Sequence, residues 1–378
     1  MERLYWNNDW KFAETWEEAM KEAVYPENEM EDVRLPHTCK ELPYHYFDEH
    51  AYQMLCGYRR HFMAPEAWQG KSVELTFEGV AHDAVVYVNG TEVKAHHCGY
   101  TAFFVEIAKY LKYGEDNVLA VRVDSRENLN IPPFGYAIDY MTFGGMYREV
   151  YVQVRNKTHL ADVFIKPQIH PLQVTTEITV QNISDGITLQ QEIRKKGEGA
   201  YSPLGQKPVK QTNVQTVFPV QEIRLWEPEN PYLYEIRTSL WKNGEMIDAR
   251  VDITGFREAG FRKDGFYLNG KKLRLRGLNR HQSYPYVGYA APASMQIFDA
   301  DILKKELGVN AVRTSHYPQS QDFIRRCDEI GLLVFTEFPG WQHIGGEEWK
   351  RQAVQNLKEM IVQYRNHPSI ILWGVRIN

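Results

Sequence analysis

The spacing of apolar residues changes character once along this chain, near Gly255, and that change constrains the fold more than any composition figure. Before it, apolar side chains recur at every second position. Val73, Leu75 and Phe77 share one face, as do Leu119, Val121 and Val123, and again Val150, Val152 and Val154. Successive strand residues point to opposite faces, so these runs predict half-buried β-strands. Val85-Val-Tyr-Val-Asn89-Gly90-Thr-Glu-Val93 adds a strand–turn–strand whose Asn-Gly pair suits the positive φ of a type I′ hairpin turn. Short strands without a long helical pattern predict an antiparallel sandwich over residues 1–156. A second set follows over 157–257: Thr176, Ile178 and Val180 early, then Tyr234, Ile236, Thr238 and Leu240 before Asn243-Gly244. About 100 residues of short strands is the size of an immunoglobulin-like sandwich. Residues 195–212, rich in Gly, Lys, Ser and Pro, are expected to form an exposed loop within it.

After Gly255 a hairpin around Asn269-Gly270 leads into continuous apolar runs at 273–278, 309–314, 332–335 and 370–373. Between them lie helix faces: Phe298, Ile302, Leu303 and Leu307; Phe323, Ile324, Cys327 and Ile330; Ala353, Leu357, Ile361 and Tyr364. Apolar strands separated by amphipathic helices predict a parallel sheet covered by helices. Four strands and three helices over 258–378 make the N-terminal half of a (β/α)8 TIM barrel, which needs about 250 residues when complete. An open four-stranded sheet is the alternative. The short strand repeat and the polar strand ends favour the barrel.

Composition excludes several function classes. A net charge of −5 argues against a nucleic-acid footprint, which would need a basic face, and no segment approaches the roughly 20 apolar residues of a membrane span. The N-terminus shows no apolar signal region, and Cys39, Cys56, Cys98 and Cys327 are scattered, so reduced thiols and a cytoplasmic location are expected. The acceptor triplets at Asn89, Asn156 and Asn182 then read as accidents of composition. Aromatic residues reach 13%; their faces fill sandwich cores and also stack on sugar rings.

Each barrel strand ends in a polar cluster that packing does not explain. These are Arg276-Gly-Leu-Asn279-Arg280-His281-Gln282, Arg313-Thr-Ser-His316-Tyr317-Pro318, Glu337-Phe-Pro-Gly-Trp341-Gln342-His343 and Arg376-Ile-Asn378. In a barrel the C-terminal strand ends converge on one rim, where the chemistry of this fold is done. Asn, His, Arg and Trp together suit a sugar, with hydrogen bonds to hydroxyls and a ring to stack on. Ser315-His316 is no nucleophile–base pair, because neighbours on an extended strand face opposite ways. His281, His316 and His343 with Glu337 lack the close spacing of a metal motif, so hydroxyl contacts are the preferred reading and no metal is expected.

These clusters, with the domain order, closely resemble glycoside hydrolase family 2, the β-galactosidase, β-glucuronidase and β-mannosidase group. Tyr58-Arg-Arg-His-Phe, Phe77-Glu-Gly-Val80, Val88-Asn-Gly90, Gly99-Tyr-Thr-Ala-Phe103 and Gly144-Gly-Met-Tyr-Arg-Glu-Val150 are similar to its sugar-binding jelly roll. Leu225-Trp-Glu-Pro-Glu-Asn-Pro-Tyr-Leu-Tyr234 resembles the end region of its immunoglobulin-like domain. Gly277-Leu-Asn-Arg-His281 and Asn310-Ala-Val-Arg-Thr-Ser-His-Tyr-Pro318 resemble two barrel signatures. The resemblance implies a retaining exo-β-glycosidase acting on a β-linked oligosaccharide or glycoside, without cofactor, and leaves room for a homo-oligomer of the full-length protein. It implies sugar contacts from Asp139, His281 and His316, a rim arginine in Arg313, and in Asn378 a bond to the sugar 2-hydroxyl that strengthens in the transition state. Asn279, Glu337, Trp341 and His343 become rim support.

The departures from the family pattern are as informative. The acid/base glutamate directly follows that asparagine in the family, and the nucleophile lies on a later strand, so both catalytic glutamates are expected beyond residue 378. The chain then reads as a truncated part that is inactive alone. Trp341-Gln342-His343 stands where some β-galactosidases have a magnesium-binding glutamate. The stretches 281–285 and 338–343 favour β-galactosidase type over β-glucuronidase. A non-catalytic carbohydrate-binding protein is the remaining alternative, although a half barrel exposes strand edges and apolar helix faces.

Overall fold

The structure, a computed structural model, describes residues 3–45, 48–135 and 137–375, so Asn378 lies outside the described residues. The alternating runs become two antiparallel sheets. One has six strands in the order Glu31–Val33, Trp10–Ala13, Leu55–Met63, Asp116–Asp124, Asp83–Val88 and Thr91–His96. The other has four: Leu4–Tyr5, Val150–Arg155, Ser72–Phe77 and Phe103–Glu106. Val73, Leu75, Phe77, Leu119, Val121, Val123 and Val152 are all fully buried in the main core of this jelly roll. Asn89 and Gly90 bend the hairpin at φ 50° and 83°, a left-handed pair that only such residues adopt cheaply.

The second unit is a seven-stranded immunoglobulin-like sandwich. His159–Ile169, Leu172–Gln181 and Asn213–Pro219 face Ser202–Pro208, Ile187–Lys195, Tyr234–Lys242 and Glu245–Thr254. The loop expected at 195–212 is in fact built around an edge strand, Ser202–Pro208, paired antiparallel with Ile187–Lys195. Its exposed polar residues and two prolines hid it. At a sheet edge a proline's missing N–H costs no ladder bond.

A three-stranded hairpin sheet, Ala259–Arg262, Gly265–Leu268 and Lys271–Leu273, comes next. Its Phe266 and Leu268 pack with Trp226 on Leu333. The barrel portion then runs β1 (Gly277–Arg280), α1 (Ala293–Asp301), β2 (Ala311–Thr314), α2 (Gln321–Ile330), β3 (Leu333–Glu337), α3 (Glu347–Tyr364) and β4 (Ile370–Gly374), with four parallel strands in chain order. The first strand starts at Gly277 because Leu273 belongs to the hairpin sheet.

Helix α2 buries the expected Phe323, Ile324 and Cys327, with Ser320 capping its start by accepting from Asp322 N. The first helix departs from expectation. Phe298 is 61% exposed and Leu307 56%, while Gln296, Ala300 and Leu303 are buried. Arg280 explains the rotation. Its guanidinium donates to Gln296 Oε1 at 2.8 Å and Asp299 Oδ2 at 2.8 Å, so α1 is held to β1 by its polar side. Apolar periodicity carries no trace of that.

Helix α3 lies against the jelly roll, and the turn that follows it reaches the second sandwich. Glu359 accepts from Thr101 Oγ1 at 2.7 Å and His96 Nε2 at 3.0 Å, Gln363 Oε1 accepts Ala102 N at 2.9 Å, and Asn366 Oδ1 accepts Ile165 N at 3.0 Å. No helix among the described residues is long and apolar enough to cross a membrane. Burial raises the Glu359 carboxyl, but the hydrogen bond and charge of His96, with Gln355 and Thr101, outweigh it and hold the group at about 2. A depressed carboxyl stabilises the folded state above its ordinary value of 4.5 and loses that contribution as pH falls towards 2. Glu359→Gln is therefore expected to cost on the order of 2 kcal/mol at neutral pH and to flatten the acid limb of the urea-unfolding profile across that window.

Candidate functional site

Strand alternation sorts the parallel sheet into two faces. Val312, Thr314, Val334 and Thr336 are buried, Val312 and Val334 in the core beneath the helices, while Arg313, Phe335 and Glu337 occupy the alternate, inner positions. Glu337 closes β3 and is fully buried. Its Oε2 accepts Arg313 Nε at 3.0 Å and lies 2.9 Å from Nη2 in the same ion pair, and its Oε1 meets His316 Nδ1 at 2.7 Å. A buried carboxylate needs such charged donors, since unpaired it would lose several kcal/mol of hydration. The contact occupies Nδ1 of His316 and leaves Nε2 as the ring nitrogen turned to another partner. Ser315 plays no part in this: its buried Oγ has no hydrogen-bond partner among the described residues.

Around this clamp stands a group of rings. His316 lies 4.6 Å from Trp341 and 5.4 Å from His281, centroid to centroid. Tyr140 reaches in from the jelly roll, 5.3 Å from His281, 5.9 Å from His316 and 5.8 Å from Trp341. His281 Nδ1 meets Tyr317 Oη at 3.2 Å, and that hydroxyl also accepts Gln282 N at 3.3 Å. Burial, then the neighbouring His316, lowers the His281 imidazole from its ordinary value against the pull of Asp139 and Glu337. At neutral pH it is an uncharged group able to give or take a hydroxyl hydrogen bond.

The loop carrying Tyr140 is fastened to the barrel by two indoles. Trp341 Nε1 donates to Ala137 O at 2.9 Å, and Trp349 Nε1 to Phe134 O at 3.2 Å. Gly135, at φ 129°, packs under His343 so closely that a Cβ would lie 2.0 Å from the ring. Asp139 is exposed on this loop, one residue before Tyr140.

The structure thus brings together His281, Arg313, His316, Glu337 and Trp341. Asn279 lies in register with Arg313 on β1 and is exposed. His343 stands apart, its ring 5.9 Å from Trp349, where it supports the loop. Among the described residues no three His, Cys, Asp or Glu side chains converge as metal ligands would. Tyr140, Tyr317 and Arg148 belong to the site's build and were not singled out. Arg148 had a readable signal, a lone cation among Gly, Met and Tyr at a strand start. Tyr140 had none.

Models of glycosyl hydrolases family 2 match three consecutive stretches: its sugar binding domain over 30–155, a second family segment over 158–257 and its TIM barrel domain over 260–376. The chain is 47% identical to a β-galactosidase of Thermoanaerobacter pseudethanolicus, with 99% of this chain and 51% of that protein covered. It is 45% identical to a β-galactosidase of Thermoanaerobacterium thermosulfurigenes, covering 98% and 53%. Bacteroides uniformis β-glucuronidase 2, covalently bound to cyclophellitol-6-carboxylate aziridine, superposes with a TM-score of 0.91 at 30% identity, over 99% of this chain and 46% of that one. The chain spans about half the length of the curated relatives it matches.

Removing one partner of the Glu337 clamp strands a buried charge. Arg313→Met is expected to destabilise residues 1–378 by roughly 3 kcal/mol in urea unfolding, and Arg313→Met/Glu337→Met by clearly less than the two single losses together.

Proposed function

The chain belongs to glycosyl hydrolases family 2, and from that premise we propose that the whole protein is a retaining exo-β-glycosidase of β-galactosidase type, working in the cytoplasm. The observation that carries this reading is the clamp of Glu337, Arg313 and His316 inside a ring of His281, Trp341 and Tyr140. His281 and the Nε2 side of His316 suit sugar hydroxyls, Trp341 and Tyr140 its apolar ring face. Asp139, displayed beside Tyr140, adds an acceptor. Asn378 is assigned to the 2-hydroxyl, where a hydrogen bond gains strength as the oxocarbenium-like state forms.

Three observations support the finer choices. A glucuronate ligand brings a carboxylate that calls for a free cation, whereas the guanidinium of Arg313 is already held by Glu337. The relatives at 47% and 45% identity are both β-galactosidases. All four cysteines are buried and unpaired, which suits a reducing compartment.

A retaining glycosidase works with two carboxyls about 5–5.5 Å apart, one as nucleophile and one as proton donor. Glu337, fixed by Arg313 and His316, serves neither role, and in this reading both come from sequence beyond residue 378. Residues 1–378 alone are then expected to give no turnover of nitrophenyl β-galactoside; measurable turnover by pure material would sink this part of the reading. In a protein extended to the length of its relatives, nitrophenyl β-galactoside should exceed the β-glucuronide in kcat/KM by about a hundredfold or more, and His316→Ala should lower that value by roughly a hundredfold. A preference for the glucuronide would replace galactosidase by glucuronidase.

A further inference from the structure

Glu337 and Glu78 are the two glutamates buried among the described residues, and their surroundings differ. Glu337 has Arg313 on one oxygen and His316 on the other. Glu78, 4% exposed just past the jelly-roll strand Ser72–Phe77, has no such clamp. Among the described residues no donor hydrogen-bonds its carboxyl. The cation paired with it is Arg3, whose Nη1 stands 3.5 Å from Oε1. That guanidinium is partly exposed and also lies over the Tyr151 ring, 4.4 Å from its centroid.

The backbone explains the crowding around Glu78. Its N–H donates to Glu149 O at 3.0 Å, so two carboxyl-bearing residues are neighbours across the sheet. Glu78 O accepts Arg148 Nη1 at 3.3 Å, and the other arm of that guanidinium reaches Pro318 O at 3.1 Å, just ahead of α2. From α2 itself Asp322 and Arg325 face the pair, but Arg325 is spent on Asp322, to which its Nη2 donates. The phenols of Tyr151 and Tyr364 complete the surroundings and are kept neutral by burial. Three carboxyls therefore share Arg3, Arg148 and Arg325, and of these only Arg3 forms an ion pair with Glu78. A buried carboxylate so poorly compensated gives way to its protonated form. Burial first, then Glu149, raises the Glu78 carboxyl to about 7 against the pull of Arg325 and Arg3.

We propose that Glu78 is a proton-operated latch on the seam between jelly roll and barrel. Carrying a proton, it lies neutral beside α2 and the jelly roll seats firmly; releasing that proton to solvent, it adds a charge beside Glu149 and Asp322 that weakens the seating. The latch does not depend on the proposed function. A carboxyl raised on folding stabilises the folded state below its ordinary value of 4.5, and that contribution is lost as pH rises through about 7. Infrared difference spectra, urea unfolding and amide exchange of residues 1–378, each followed from about pH 5 to about pH 9, test it. The expected spectrum holds a protonated-carboxyl band that fades across this window and is missing from Glu78→Gln. Glu78→Gln, which keeps the neutral shape, should match the wild type near the acid end and show an unfolding constant smaller by on the order of a hundredfold at the alkaline end. Amide exchange along α2, corrected for its intrinsic pH dependence, should rise across the window in the wild type and not in Glu78→Gln. Arg3→Met, a change to a partly exposed side chain, should move the wild-type window to higher pH, since Arg3 favours the charged carboxyl. A band that Glu78→Gln retains, a Glu78→Gln protein no more stable than wild type at the alkaline end, α2 exchange that follows pH equally in both proteins, or a window that Arg3→Met leaves in place or lowers overturns the latch.

Discussion

Arg148 is the contact on which the arrangement of domains depends. It stands at the entry of the jelly-roll strand Val150–Arg155 and is buried away from water. A guanidinium there is tolerable only if carbonyls and amides surround it. Tyr100 O and Glu78 O accept from Nη1 at 3.2 and 3.3 Å within the jelly roll, while Gln282 Oε1 and Pro318 O accept from Nη2 at 3.0 and 3.1 Å within the barrel. Gln282 follows His281, and Pro318 comes two residues after His316. One cation from the first domain thus sets where the two rim histidines of the third can be.

The same seam accounts for part of the aromatic excess. Tyr100 of the jelly roll stacks on Tyr317 of the barrel at 4.5 Å with their planes 12° apart, and Tyr289 packs against both. Burial raises all three phenols well above their ordinary value, so they remain neutral donors and acceptors at any physiological pH. These rings weld two domains at the place where their polar edges meet the clamp. The site is therefore composite: Tyr140, Asp139 and the Trp341 anchor at Ala137 exist only because the sandwich is seated on the barrel.

Much of this was legible in the sequence because apolar periodicity reports burial directly. The alternation of Val73, Leu75 and Phe77, the faces of α2 and the Asn-Gly bends each carry their cause in the residues themselves. What escaped was set by polar contacts between distant segments. The rotation of α1 follows from Arg280 meeting Gln296 and Asp299, and the edge strand Ser202–Pro208 from a neighbour that tolerates proline. Tyr140 comes to the rim because two indoles over 200 residues later hold its loop. Strand-end position did identify His281, Arg313, His316, Glu337 and Trp341, since in a parallel barrel that position fixes convergence without any knowledge of partners. His343 shows the limit of that rule. It shares the strand-end stretch with Trp341, but the backbone carries its ring onto Gly135.

Glu337 illustrates how burial separates a structural carboxylate from a reacting one. An acid/base group must change charge during each turnover, so its surroundings have to accept both states at similar cost. Glu337 is engaged on both oxygens, Oε2 by Arg313 and Oε1 by His316, and is buried where no water reaches it. Its charge is a fixed template: it holds the Arg313 fork against the inner wall and orients His316 so that Nε2 is the nitrogen left for another partner. Under the proposed function, a sugar hydroxyl placed there meets a ring nitrogen whose direction was decided before it arrived, which is how a binding rim gains selectivity for one stereochemistry without moving.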